Sequence, residues 1–256
     1  MDTYLILDKS FLQGVKKQRI VALTEKYKII MSTSLLYELI KGESEQRAHL
    51  FQKLPSFDVI QGLPTIFRYE MNERRPYGKP SSHIVERDYS NTKLLIDENF
   101  ELSEKQMDAL KYEAETVELL TQPFLDTPLY SHKDVKGNQA RYESLILNDT
   151  DFILDEYKKI TLYPNVFKET KKPSIDATWA TYKWLQIIHL FQLDIACRYP
   201  DIKIILDSKK ALEKMKHDTL DQVYLLLAVL EGGFATKENK LKKFFNQLCS
   251  DGIYEC

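Results

Sequence analysis

The sequence predicts an α/β fold with a central, mostly parallel sheet and a large, mainly helical insertion. Three observations lead there. Tyr4-Leu5-Ile6-Leu7 and Ile29-Ile30-Met31 are apolar runs of strand length without alternation, as expected for strands covered on both faces. Each run is followed by a helical pattern. A strand–helix rhythm returns near the end of the chain, after a middle in which helical and irregular segments alternate. The α/β core is therefore expected at 1–45 and 200–256, with the insertion at 46–199, packed on the same core or apart from it.

Taken in order, the first strand is Tyr4–Leu7, ending at Asp8, and a helix is expected from Phe11 to Thr24. The second strand is Lys28–Met31. Ser32, Thr33 and Ser34 offer N-caps for LLYELIKG, a helix closed by Gly42. Ser103 and Gln106 have capping-box spacing ahead of a helical run to Leu120. Asn72 to His83 and Thr127 to Gln139 read as long loops rich in Pro, Gly, Ser and basic residues. Thr178 to Tyr199 is strongly apolar, but it carries Lys183, Gln186, His189 and Asp194, which predicts a buried helix and not a membrane span. HDTLDQVYLLLAVLEGG reads as a helix with carboxylates at its start and glycines at its stop. FAT is then a short strand, KENKLKKFFNQL a helix, and GIYE a closing strand.

Bulk properties exclude several classes. A composition 43% hydrophobic and 29% charged argues against disorder, and a net charge of −2 provides no whole-molecule attraction to nucleic acid. The three cysteines form no CxxC and have no histidine at zinc-ligand spacing, so a reducing, cytoplasmic setting is expected. The N-terminus lacks the pattern of a signal peptide. GxGxxG and GxxxxGK[ST] are absent, and the five histidines are scattered along the chain, which gives Ser/His/Asp and Cys/His catalysis little support.

The acidic residues are ordered differently. Asp8 ends the first strand, Glu38 lies in the helix after the second, Asp218 and Asp221 precede the glycine turn, and Glu238 follows the last short strand but one. Sites in open parallel sheets form outside the carboxyl ends of strands. Grouped carboxylates raise one another's pKa unless a cation relieves them, and oxygen donors without His or Cys suit Mg²⁺ or Mn²⁺. Each acid also has a simpler explanation: a loop residue for Asp8, a solvated helix residue for Glu38, an N-cap for Asp218, helix-dipole stabilisation for Asp221 and first-turn charge for Glu238.

The stretches LILDKSFL, IIMSTSLLYELIKG and DQVYLLLAVLEGGFATKENKL, with the closing GIYE, resemble PIN-domain nucleases over roughly residues 1–45 and 200–256. The resemblance implies a PIN-like three-layer α/β/α sandwich and metal-dependent phosphodiester hydrolysis by Asp8, Glu38, Asp221 and Glu238. Asp8, Asp221 and Glu238 would hold Mg²⁺ or Mn²⁺, with Asp218 the alternative third acid, and Ser10 and Thr236 would be polar supports. Glu238 departs from the family's usual Asp, which keeps open a degenerate PIN-like scaffold that binds RNA or protein without cleaving. A mainly helical adaptor is the other alternative.

Basic residues among aromatics, Arg74, Arg75 and Lys79 in one loop and Lys237 and Lys240 beyond the last turn, are candidates to grip nucleic acid, with solvated surface as the plainer explanation. The expected partners are RNA, then single-stranded DNA, a protein docking on the insertion, and further copies of the chain. A toxin or host-defence role suits such a nuclease.

Overall fold

A computed structural model of the chain describes residues 3–60, 62–84, 130–159 and 172–256, with scattered positions between 95 and 115. Most of the helix expected from Ser103 to Leu120 lies outside the described residues. In chain order the elements are β1 (Tyr4–Leu7), α1 (Lys9–Gly14), α2 (Lys17–Thr24), β2 (Lys28–Ser32), α3 (Thr33–Ile40), α4 (Ser44–Phe51), β3 (Asp58–Ile60) and α5 (Leu63–Glu73). A 3₁₀ turn (Pro80–His83) follows, then α6 (His132–Val135), α7 (Gln139–Asn148), α8 (Thr150–Lys159), α9 (Ala180–Arg198), α10 (Ile202–Leu206), α11 (Lys209–Glu231), β4 (Gly233–Ala235), α12 (Asn239–Leu248) and β5 (Ile253–Glu255). They divide into two compact units: Met1–Leu63, Lys79–Thr116 and Val223–Cys256 around the sheet, and Pro64–Gly78 with Val117–Gln222, which is helical where described.

The protein is an α/β protein whose sheet has five strands in the order β3-β2-β1-β4-β5, every neighbouring pair parallel. Leu5, Ile6 and Leu7 of β1 are fully buried, which accounts for the unalternating apolar run. The chain steps from β1 to β2 and β3 on one side, then returns to place β4 and β5 on the other. The strand order therefore reverses between β1 and β4, the topological position at whose carboxyl ends open parallel sheets place their ligand sites.

The glycine pair before β4 makes this join. Gly232 has φ +82° and its N–H donates to Ala228 O (2.8 Å), a left-handed cap that ends α11. Gly233 lies so close to β1 that an added Cβ would stand 2.2 Å from the carbonyl oxygen of Tyr4. Only glycine lets β4 approach β1 here.

Three sequence expectations are corrected. The helix expected from Phe11 to Thr24 breaks at the extended residue Val15 into α1 and α2. The ammonium of Lys53 donates to the carbonyls of Leu12 (2.9 Å), Gln13 (3.4 Å) and Val15 (3.1 Å), and that of Lys237 to Gly14 (3.0 Å). These bonds satisfy the exposed end of α1. β3 lies within the segment expected to be helical; Asp58-Val59-Ile60 is too short to show a period. The helix expected to begin near His217 begins at Lys209, where Ser208 Oγ accepts from Ala211 N (3.3 Å). Ala211 and Met215 bury with Ile195 and Ile205, so the helical period continues upstream through the lysines. Asp218 and Asp221 are therefore inside the helix, and neither caps it nor meets its N-terminal dipole.

In the helical unit α9 is buried on nearly every side, as its apolar sequence predicted. Its N-terminus is met by Glu70 of α5, which is fully buried. The Glu70 carboxylate accepts from Ala180 N (2.7 Å), Thr181 N (2.8 Å), Thr181 Oγ1 (2.6 Å) and Tyr77 N (2.9 Å). Burial raises its pKa above the ordinary carboxylate value, and these hydrogen bonds oppose the rise. Ile153, Tyr157, Ile175, Trp179, Tyr182 and Leu185 form the adjoining core.

Candidate functional site

At the carboxyl end of β1 the backbone N–H of Asp8 donates to Ala235 O (3.1 Å), and Thr236 N donates to Glu255 O (3.1 Å). These bonds extend the ladder past the strands and bring Asp8 and Thr236 together at the carboxyl ends of β1 and β4. Asp8 is only 2% exposed, and it caps α1 through Ser10 N (3.2 Å). Its other carboxylate oxygen accepts from the hydroxyl of Ser10 and from Thr236 Oγ1 (2.6 Å).

Thr236 is also fully buried and serves three neighbours. Its Oγ1 accepts from Glu238 N (3.0 Å) and lies 3.4 Å from Ser10 Oγ, which in turn accepts from Lys237 N (3.2 Å). Tyr254 of β5 donates to Thr236 O (2.8 Å); burial, then the charges of Cys256 and Asp8, raise the pKa of its phenol. Ser10 and Thr236, expected as polar supports, thus form the hydroxyl cradle of Asp8. Burial of a carboxylate is unfavourable unless it is hydrogen-bonded or paired with a cation. The hydroxyls supply the first, and among the described residues no cationic side chain pairs with Asp8.

Glu238 occupies the N-cap position of α12, yet its side chain makes no capping bond. A side-chain cap therefore does not account for the carboxylate at this position, and charge at the start of α12 is its plainer explanation. Glu38 of α3 is engaged differently: Lys9 donates to its Oε1, and Tyr224 OH donates to Oε2 (3.2 Å). Lys9 is a site residue that sequence reasoning missed; its position directly after Asp8 was the available signal.

Asp218 and Asp221 belong to the helical unit. Asp218 accepts from Arg198 (2.6 Å), which also meets Asp194 (2.9 Å), so its charge is matched within that unit. Asp221 is buried in α11, one turn before Tyr224. Among the described residues no group of three or more His, Cys, Asp or Glu side chains stands close enough to hold a metal ion. Asp8 and Glu238 still fit a hard cation chemically. Mg²⁺ is often held by one or two carboxylates, keeps several waters and meets substrate phosphates.

The basic candidates separate. Arg74, at φ +52°, and Arg75 follow α5 in the helical unit, where the Arg75 guanidinium lies 5.4 Å from the ring centre of Tyr69. Lys79 is exposed in the sheet unit. The Lys237 ammonium donates to Gly14 (3.0 Å) at an exposed position, while Lys240 is half-buried on α12. Among the described residues no helix is long and apolar enough to cross a membrane.

No family model matches the chain. No solved structure matches it either. Helicase SWR1 of Candida albicans is 27% identical over 207 residues, covering 78% of this chain. The chain spans 12% of the length of that protein, so the helicase's name says nothing of this chain's activity.

Proposed function

We propose that the sheet unit is a PIN-like, three-layer α/β/α domain that hydrolyses phosphodiester bonds with Mg²⁺ or Mn²⁺. RNA is the first substrate class and single-stranded DNA the second. The buried Asp8 carboxylate carries the proposal. It stands where the strand order reverses, held by the hydroxyls of Ser10 and Thr236, with no cationic side chain among the described residues to match its charge.

Asp8 and Glu238 would hold the metal, which supplies an activated water and neutralises charge on the phosphate. This chain's own residues do the rest. Ser10 and Thr236 fix the Asp8 oxygens, and the Thr236 hydroxyl also anchors the backbone of Glu238. Isothermal titration with Mn²⁺ tests the ligand set. Binding to the native protein, lost in Asp8→Asn and weakened in Glu238→Gln, supports it. Equal Mn²⁺ affinity in native protein and Asp8→Asn overturns it.

A second reading is a PIN-like scaffold that binds nucleic acid or protein without cleaving. The Glu38 arrangement favours it, because both oxygens are already taken by Lys9 and Tyr224. Oligonucleotide binding with neither Mn²⁺ affinity nor cleavage would select it.

A further inference from the structure

We infer that Lys9 contacts a phosphate of a single-stranded nucleic acid in this site, and that Glu38 acts by holding Lys9 and not by ligating a metal. The inference rests on the proposal that this site takes nucleic acid, and it assigns the two residues roles that the PIN-domain resemblance does not.

Three lysines serve α1: Lys53 has its donors satisfied, while among the described residues Lys9 at the start of the helix and Lys237 at its end make one side-chain bond each. Lys53 is buried and gives its ammonium to three carbonyls at the end of α1. Lys237 donates one ammonium bond, to the Gly14 carbonyl, at an exposed position on the far end of α1 from Asp8. Among the described residues Lys9 makes one side-chain bond, to Glu38, and its side chain is 30% exposed. An ammonium has three donors, so two of those of Lys9 remain for solvent or a ligand.

Position supports the same role. Lys9 is the first residue of α1, directly after Asp8 at the carboxyl end of β1, where the strand order reverses. Glu38 holds it from α3, and Tyr224 fixes the other Glu38 oxygen, so the holder itself has a set orientation. The pair is partly buried, the Lys9 side chain 30% and the Glu38 side chain 18% exposed. A positioned ammonium is a good point-charge contact for phosphate. A carboxylate neutralised by lysine on one oxygen and tied to a phenol on the other is poorly placed to ligate a metal.

Fluorescence anisotropy of a labelled single-stranded RNA oligonucleotide in EDTA tests this without metal or cleavage, using variants whose circular dichroism matches the native protein. Lys9→Met is expected to weaken binding about tenfold and to reduce the salt-dependence slope by about 0.7, with Lys9→Arg retaining most affinity. Glu38→Gln is the sharper arm. Removing a negative charge should tighten phosphate binding on charge alone; loss of the lysine's holder should weaken it by about threefold. Glu38→Gln should also leave Mn²⁺ affinity unchanged. Native-like binding and salt slope in Lys9→Met, no binding by the native protein, tighter binding in Glu38→Gln, or loss of Mn²⁺ affinity in Glu38→Gln would each overturn the inference. Loss of RNA binding in Lys9→Met by a protein that neither binds Mn²⁺ nor cleaves would uphold it while the nuclease proposal fails. Cleavage by a protein whose Lys9→Met variant binds normally would do the reverse.

Discussion

Replacing Thr236 by Val removes one hydroxyl and leaves the side chain nearly the same shape. In the native site that hydroxyl donates to Asp8 Oδ2 at 2.6 Å and accepts from Glu238 N at 3.0 Å, with the whole residue buried. A hydrogen bond to a charged group contributes about 1.5–3 kcal/mol, and an orphaned buried N–H costs about 1 kcal/mol or more. Thr236→Val should therefore destabilise the sheet unit by about 3 kcal/mol. Hydrogen exchange followed by mass spectrometry reads that unit directly. Peptides covering β1 and β4 should exchange about a hundredfold faster through global opening, since about 1.4 kcal/mol is a factor of ten. Thr236→Ser keeps the hydroxyl and loses one methyl, a loss of about 1 kcal/mol. In the Asp8→Asn background the Val substitution should cost less, with a coupling of about 1–2 kcal/mol. A Val variant within about 1 kcal/mol of native, or a Ser variant as unstable as the Val variant, would show that the hydroxyl does not hold Asp8.

Glu70→Ala leaves four buried donors unmatched at the start of α9 and should destabilise the helical unit by about 4 kcal/mol; the two tryptophans, Trp179 and Trp184, both lie in that unit and report its urea transition by fluorescence. His189 is held neutral by burial, its pKa lowered from 6.5 to about 4, with Tyr130 OH 3.0 Å from Nδ1 and Glu156 4.0 Å from Nε2. Between those pH values the unfolded chain binds the proton and the native one does not. His189 thus makes stability fall by up to about 3 kcal/mol as pH drops from 6.5 to 4, a slope that His189→Phe should flatten. Glu70 acts in the opposite sense: its raised native pKa makes its contribution largest below the ordinary carboxylate value and smaller as pH rises through it. Gly233→Ala forces a Cβ to 2.2 Å from a backbone oxygen and should cost about 3 kcal/mol or more, whereas Gly232→Ala meets no atom within 4 Å and should cost about 1 kcal/mol for its positive φ; thermal melts of the pair compare the two effects.

The first two strands and α3 were legible because each signal is local: a doubly buried strand has an unalternating apolar run, and Ser32 caps the helix that follows, accepting from Leu35 N (3.0 Å). The GGFA turn was legible as a stop followed by a strand, but its tight approach to Tyr4 depends on sheet packing that the sequence does not display. β3 was hidden because three residues carry no period. The start of α11 was misplaced because Lys209, Lys210, Lys214 and Lys216 mask a helix whose buried positions, Ala211 and Met215, are sparse and only moderately apolar. In the site, Asp8, Ser10 and Thr236 come together as their order along the sheet suggested. The pairing of Lys9 with Glu38 was not readable, because it joins residues 29 positions apart on separate elements. The same holds for the Arg198 contact that takes up Asp218, which joins two helices.

Cleavage itself is the most direct test of the central claim. Purified protein is incubated with single-stranded RNA, structured RNA and single-stranded DNA in Mn²⁺, in EDTA and as Asp8→Asn, and the products are resolved on a denaturing gel. Cleavage that requires Mn²⁺ and falls by at least about a hundredfold in Asp8→Asn is the predicted result. Cleavage that survives both EDTA and Asp8→Asn, or no cleavage of any of the three substrates in Mn²⁺, would contradict it.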